Sequence, residues 1–183
     1  MKKILAILVL GLLWFNNANG EDDKILYALK EGKKLVFIRH ALAPGNGDPI
    51  NFDINDCSTQ RNLDKIGIIQ SKKIGLFFKN NKIKIDKVLS SEWCRCKNTA
   101  KYAFQDFEKF DALNSFYDER FAANESKQIN DLKNYIKKWD GDKNLVLITH
   151  FVVISSILNT GASSGEIIIA DKNFNIVGSI DMM

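Results

Sequence analysis

The chain predicts a three-layer α/β sandwich, a largely parallel central sheet with helices on both faces. Two observations predict it. Short apolar, β-branched runs alternate with longer segments of helical spacing, and no repeat, linker or low-complexity block interrupts them. Lys34-Leu35-Val36-Phe37-Ile38 is the first such run, and its length and composition are those of a buried strand. It stops at Arg39-His40, and a loop rich in Gly, Asn, Asp and Pro runs from Ala41 to about Ser58. From Asn62 to Phe78, Leu63, Ile66, Ile69, Ile74 and Phe77 recur at helical spacing. Lys87-Val88-Leu89-Ser90-Ser91 is a second strand, with a helix from Glu92 to Phe104 after it. Lys109 to Phe116 is irregular, with room for a short strand. Ile129, Leu132, Ile136 and Trp139 make one apolar stripe on a helix. Asn144 to Thr149 is the clearest strand and ends in His150. Phe151 to Leu158 is a helix packed on the sheet, and strands Glu166–Ala170 and Asn175–Ile180 flank a turn at Asp171-Lys172-Asn173.

The first residues follow other rules. Met1-Lys2-Lys3 precedes an apolar run from Ile4 to Phe15, then Asn16-Asn17-Ala18-Asn19-Gly20. That is the layout of a secretory signal, with Ala18 and Gly20 at the −3 and −1 positions of a cut after Gly20. The alternative is an uncleaved anchor, but the run falls short of the roughly 18–20 residues that span a bilayer. The first cysteine is Cys57, too far on for a lipid-modified N-terminus. The expected organisation is a signal peptide, residues 1–20, and one domain, residues 21–183, in the periplasm or cell envelope with no stable membrane insertion once the signal is gone. Lys2 and Lys3 supply half of the formal charge of +4, and the small remainder argues against a nucleic-acid partner. In an oxidising compartment two of Cys57, Cys94 and Cys96 pair. Cys94 and Cys96 stand too close to bridge each other, so Cys57 takes one of them; a zinc site is the alternative.

Ligands of such sheets bind beyond the carboxyl ends of the strands. That rule selects Arg39-His40, Ser90 to Arg95 and Thr149-His150. The chain has two histidines, and each closes an apolar strand. One such residue is ordinarily a capped core histidine; two at equivalent positions, one beside an arginine, describe a nucleophilic imidazole next to a fixed cation. The guanidinium fork suits phosphate oxygens and keeps its charge, and a neutral imidazole can attack phosphorus when cations spread the developing charge.

Phe37-Ile38-Arg39-His40-Ala41 resembles the Arg-His motif of the histidine phosphatase superfamily, which includes the phosphoglycerate mutases. The resemblance continues through Gln60-Arg61-Asn62-Leu63 with Gly67 and Gln70, through Ser90 to Ala100 around Arg95, and through Leu147-Ile148-Thr149-His150. Gly165 to Ile169 is similar to the strand that follows. The blocks stand in the family's order over most of residues 21–183. The resemblance implies a phosphoglycerate mutase-like fold and a phosphohistidine formed on His40. Arg39, Arg95 and His150 would hold the phosphoryl oxygens, with no metal and no other cofactor. Arg61 either reaches the pocket or caps the helix near Asn62, and Ser91 either donates to substrate or serves a turn. The proton donor is expected at Glu119, with Asp118 as the substitute. The chain carries no clear copy of the family's glutamate segment.

The expected activity is that of a phosphoric monoester hydrolase on a small phosphorylated substrate, such as a phosphosugar of the envelope or a phosphorylated lipopolysaccharide core. Export argues against mutase chemistry on glycolytic intermediates. The alternatives are a phosphohistidine protein phosphatase, or an inactive anion-binding protein using Arg39 and Arg95. A zinc hydrolase would need more ligands. The loop from Ala41 to Asp56, with Asn46, Asp48, Asn51 and Asp53, covers the site. Intact-mass measurement of protein recovered from the envelope fraction is expected to show a chain beginning at Glu21; one retaining Met1 to Gly20 would establish the anchor instead.

Overall fold

The computed structural model describes residues 23–183, so the expected signal and its cut after Gly20 lie outside the described residues. The strands are β1 (Leu35–Arg39), β2 (Ile85–Ser90), β3 (Glu108–Lys109), β4 (Asn144–Thr149), β5 (Ile167–Ala170) and β6 (Ile176–Ile180). They form one sheet in the order β3-β2-β4-β1-β5-β6. The first four in that order run parallel, and β5 and β6 close the far edge antiparallel.

The alternation of side chains along each strand divides the core in two. Leu35, Phe37, Leu89, Leu145 and Leu147 face α5 (Glu125–Lys138) and α6 (Phe151–Leu158), where Leu132, Ile136, Val153 and Ile154 meet them. Val36, Ile38, Val88, Val146 and Ile148 face the other way, toward Ile25 and Leu29 of α1 (23–31), Ile74 and Phe78 of α2 (Lys65–Asn80), and Cys96 and Ala100 of α3 (Cys94–Phe104). Two buried layers of helix therefore sandwich the sheet, as expected.

Several boundaries depart from the sequence reading. The helix expected from Asn62 begins at Lys65, because the Asp64 carboxylate accepts from the Gly67 N–H and caps it. Ile66 and Ile69 are exposed, and the buried face of α2 is instead Gly67, Gln70, Ser71, Ile74 and Phe78. The reason is close approach: a Cβ on Gly67 would collide with the Leu42 carbonyl, and one on Gly75 with the Ala103 backbone. Where backbones approach this closely, small and polar residues occupy the inner face, and the apolar spacing misleads. The helix expected from Glu92 starts at Cys94, and α1, carried by Ile25, Ala28 and Leu29, is an element the sequence reading does not contain.

Cys57, in a 3-10 turn of the long loop, is bonded to Cys94 at the start of α3; Cys96 is the free and buried thiol. With two of the three thiols joined, the zinc alternative keeps a single sulfur ligand. The bridge spans 37 residues of sequence, and closing such a loop stabilises a fold by about 4 kcal/mol in the chain-entropy account. Undenatured protein should therefore show no rapidly reacting thiol and denatured, unreduced protein one. Cys57→Ser, Cys94→Ser or reduction should lower the melting temperature; three thiols in unreduced protein would contradict the bridge.

Candidate active site

The three segments chosen by the strand-end rule meet because β2, β4 and β1 are neighbours in register. Arg39 lies opposite Thr149, and Ser90 opposite Ile148. The ladder extends one residue further on each side, with the His40 N–H on the Thr149 carbonyl at 2.9 Å and the Ser91 N–H on the Ile148 carbonyl at 2.9 Å. Past His40 the chain is caught by polar side chains: the Ala41 N–H donates to Thr99 Oγ1 at 3.0 Å and the Leu42 N–H to Gln70 Oε1 at 2.9 Å. The result is a pocket of about 270 Å³ whose wall includes Arg39, His40, Asp48, Arg61, Arg95 and His150.

Both imidazoles are buried and both have a readable tautomer. His40 Nδ1 lies 2.9 Å from the Ala41 carbonyl, which can only accept, so the proton sits on Nδ1 and the lone pair on Nε2. His150 is turned the other way. Its Nδ1 faces Arg95 Nη2 at 3.4 Å, a group that can only donate, so Nε2 carries the proton and gives it to Ser91 Oγ at 2.9 Å. Ser91 in turn donates to Asn114 Oδ1 at 3.0 Å. Ser91 therefore orients His150 from inside the protein. Burial first, and the Arg95 charge second, hold both imidazoles well below the ordinary value of 6.5, and thus neutral.

The three arginines are matched differently. Arg39 donates to the Ala162 carbonyl at 2.7 Å. Arg61 donates to the carbonyls of Ala43, Gly45 and Gly47, so it both lines the pocket and clasps the loop above it. It is not a helix cap, since Asp64 caps α2. Arg95, 3 % exposed, meets the Asp48 carboxylate through Nη1 at 2.8 and 3.1 Å. The buried Nε groups of Arg39 and Arg95 have no protein partner. Guanidinium groups lining one pocket with a neutral imidazole constitute a site suited to an oxyanion.

Of the two expected carboxylates, only the substitute reaches the pocket. Glu119 is exposed at the start of α4 (Glu119–Ala122) and is not part of the pocket wall. Asp118 does line the pocket, but hydrogen bonds from the Arg120 side chain and then its backbone N–H hold its carboxyl down to about 2. Asp48, which the sequence marks only as a loop residue, lines the pocket and is the carboxylate paired with Arg95. Burial alone would raise its carboxyl; the Arg95 hydrogen bond and charge, the Arg61 N–H and the Trp93 indole together outweigh that and lower it. Nothing in the loop's composition distinguishes Asp48 from Asp53 or Asp56.

No family model and no curated protein sequence matches the chain. Solved structures do share its backbone path. The protein histidine phosphatase SixA complexed with tungstate superposes with a TM-score of 0.58 at 16 % identity, over 81 % of this chain and 97 % of that one. The putative phosphohistidine phosphatase SixA from Agrobacterium tumefaciens gives 0.56 at 18 % identity, over 81 % and 98 %. A phosphoglycerate mutase from Thermus thermophilus gives 0.57 at 12 % identity, over 81 % and 98 %. The chain therefore has the phosphoglycerate mutase-like fold of the histidine phosphatases.

Two histidines held neutral make a prediction about stability. In the unfolded chain they bind protons as pH falls through about 6.5, while the native chain does not, so stability rises with pH in that window and falls below it. Denaturant titrations from pH 7.5 to 5.5, well above the range of the paired carboxylates, should show a loss that shrinks in His40→Asn. An unchanged slope in that variant would mean that His40 is protonated in the native protein.

Proposed function

We propose that this chain is an exported, metal-independent phosphatase that hydrolyses a phosphomonoester through a phosphohistidine on His40. The observation that carries this reading is that His40, whose Nε2 keeps its lone pair, shares one small pocket with the guanidinium groups of Arg39, Arg61 and Arg95. Phosphoryl oxygens meet those guanidinium groups and bring phosphorus to the imidazole. His40 enters as the neutral nucleophile, with its Nδ1 proton on the Ala41 carbonyl keeping Nε2 aimed. Burial first and the Arg95 charge second keep His150 neutral; the dianion offsets the second, so that ring can take a proton from water on Nδ1 and turn from acceptor to donor. Arg39, Arg95 and His150 then spread the charge of the transferring group. Arg61 acts by holding the loop wall and adding a third guanidinium.

The likeness to SixA in complex with tungstate, a tetrahedral oxyanion, supports phosphate as the pocket's ligand. The cavity's size, with Tyr117 and Phe151 exposed at its rim, supports a small phosphorylated compound; a phosphosugar of the envelope fits. The second reading is a phosphohistidine on a protein, favoured by the SixA likeness. Export is supported by the Met1–Gly20 pattern together with the Cys57–Cys94 bond, which belongs to an oxidising compartment.

Rapid quenching after mixing with substrate should trap enzyme-bound phosphate that survives base and is lost in acid, as a phosphoramidate is. His40→Ala should abolish both label and turnover; His150→Asn should be slower but still labelled. Arg95→Ala should lower kcat/KM by roughly 10²–10³-fold, while Lys143→Ala, at the opposite end of the sheet, should leave it unchanged. A chelator should have no effect. Full turnover in His40→Ala would falsify the mechanism.

A further inference from the structure

Resting on that phosphatase reading, we propose that Asp48 is the residue that gives a proton to the leaving group and later takes one from the attacking water. It is the pocket carboxylate left after the others are assigned. Asp118 is tied to Arg120 and to the cap of α4, and Glu119 lies outside. The buried Cys96 thiol, pushed by burial up to about 12, is turned to the Thr149 carbonyl at 3.6 Å. The side chain of Asp48 is 8 % exposed and is fixed by four donor contacts. Arg95 Nη1 reaches both oxygens, the Arg61 N–H reaches Oδ1 at 3.1 Å and Trp93 Nε1 reaches Oδ2 at 3.0 Å.

Arg95 is shared between this carboxylate and the site of the phosphoryl group. A phosphate arriving in the pocket that Arg95 lines therefore places two anions against one guanidinium, and the conflict is relieved when one of them holds a proton. A phosphomonoester loses its second proton near pH ~6, so a substrate bound as the monoanion brings that proton with it. It passes from a phosphoryl oxygen to the Asp48 carboxylate, leaving the dianion on the arginines and a neutral acid at the pocket wall. The Trp93 and Arg61 N–H groups keep that acid in place. As the His40 Nε2–P bond forms and the P–O bond breaks, the electron pair goes to the leaving oxygen, and the Asp48 proton goes with it to give the free alcohol. Water then loses a proton to the Asp48 carboxylate as its oxygen attacks phosphorus. The P–N pair returns to His40, and the Asp48 proton passes back to a phosphoryl oxygen, so that inorganic phosphate leaves as the monoanion and the carboxylate is restored.

The test uses Asp48→Asn in the disulfide-bonded protein, with two substrates that differ in their need for an acid. 4-Nitrophenyl phosphate releases an acidic phenol; glycerol phosphate releases an aliphatic alcohol. The variant should lose roughly 10²–10⁴-fold in kcat on glycerol phosphate and less than about 10-fold on 4-nitrophenyl phosphate. Equal losses on both would make Asp48 a positioning residue for Arg95 and overturn the proposal. Unchanged kcat with tighter tungstate binding would make it an anion competitor and overturn it equally. If the variant does not fold, the wild-type rates across a series of aryl and alkyl phosphates decide. A shallow dependence on leaving-group acidity supports the proposal, and a steep one overturns it. Failure of the wild type to form the acid-labile phosphoenzyme would be a different result, striking the phosphatase reading and not Asp48 in particular.

Discussion

Three guanidinium groups face one small pocket at the carboxyl edge of the sheet, and most of the surrounding structure answers to that repulsion. Burial and the neighbouring Arg95 charge both lower the Arg39 and Arg61 guanidinium groups from their ordinary value, which measures how unwelcome a third cation is. Such a cluster persists only if each member is hydrogen-bonded or paired. Arg39 is met by Ala162 beyond α6, Arg61 by three carbonyls of the loop after β1, and Arg95 by Asp48. The same field adds to the burial that keeps both histidines neutral, and neutrality is what a nucleophilic imidazole requires. Structural compensation and chemical readiness therefore share a cause.

The loop between β1 and α2 is where that compensation is made. Loops of this length are ordinarily functional or disordered, and this one is held from several directions. Gln60 donates to the Asp53 and Ile54 carbonyls while its Oε1 accepts from the Cys94 N–H, tying the loop to the first turn of α3. Phe52 stacks on Trp93 at 4.9 Å, and Phe121 meets both rings edge-on. Arg120 reaches over to the Pro49 and Ile50 carbonyls, so α4 secures the loop from the far side. Each restraint lies within a few residues of Asp48 or of the tryptophan that donates to it.

How much of this the sequence carries depends on which forces act locally. β1 and β4 are legible because buried parallel strands must be continuous apolar runs, and both histidines are legible because they end such runs; β3 is two exposed charged residues that no apolar run marks. Arg39 and Arg95 come through the motif blocks. The inner face of α2 is not legible: tight backbone contact at Gly67 and Gly75 replaces the apolar stripe that periodicity seeks. Nor is the role of Ser91, which depends on a histidine 59 residues away. Asp48 is visible only as one acidic residue among several in a loop, since its pairing with Arg95 spans 47 residues and no local pattern encodes it. Side-chain length favours Glu119 over Asp118, a criterion blind to which way α4 turns.

The first turn of α3 shows how these long-range pairings are made reproducible. Successive residues on a helix point about 100° apart, so Cys94, Arg95 and Cys96 fan out in three directions. Cys94 is bonded to the loop, Arg95 enters the pocket, and Cys96 lies against the Thr149 carbonyl and His150 Nε2, 3.4 Å from the latter. A covalent bond, a cation and a buried thiol thus fix one turn of helix to the loop, the site and the sheet at once. Arginine carries several rotatable bonds, and ordering it costs up to about 2 kcal/mol of side-chain entropy. With its neighbours on both sides anchored, its backbone has no freedom to add to that cost. The Asp48 carboxylate, itself on the tethered loop, then needs only to select the rotamer. The disulfide therefore contributes to the geometry of the phosphate pocket as well as to the stability of the fold, because the residue it immobilises is the immediate neighbour of the arginine on which the site is built.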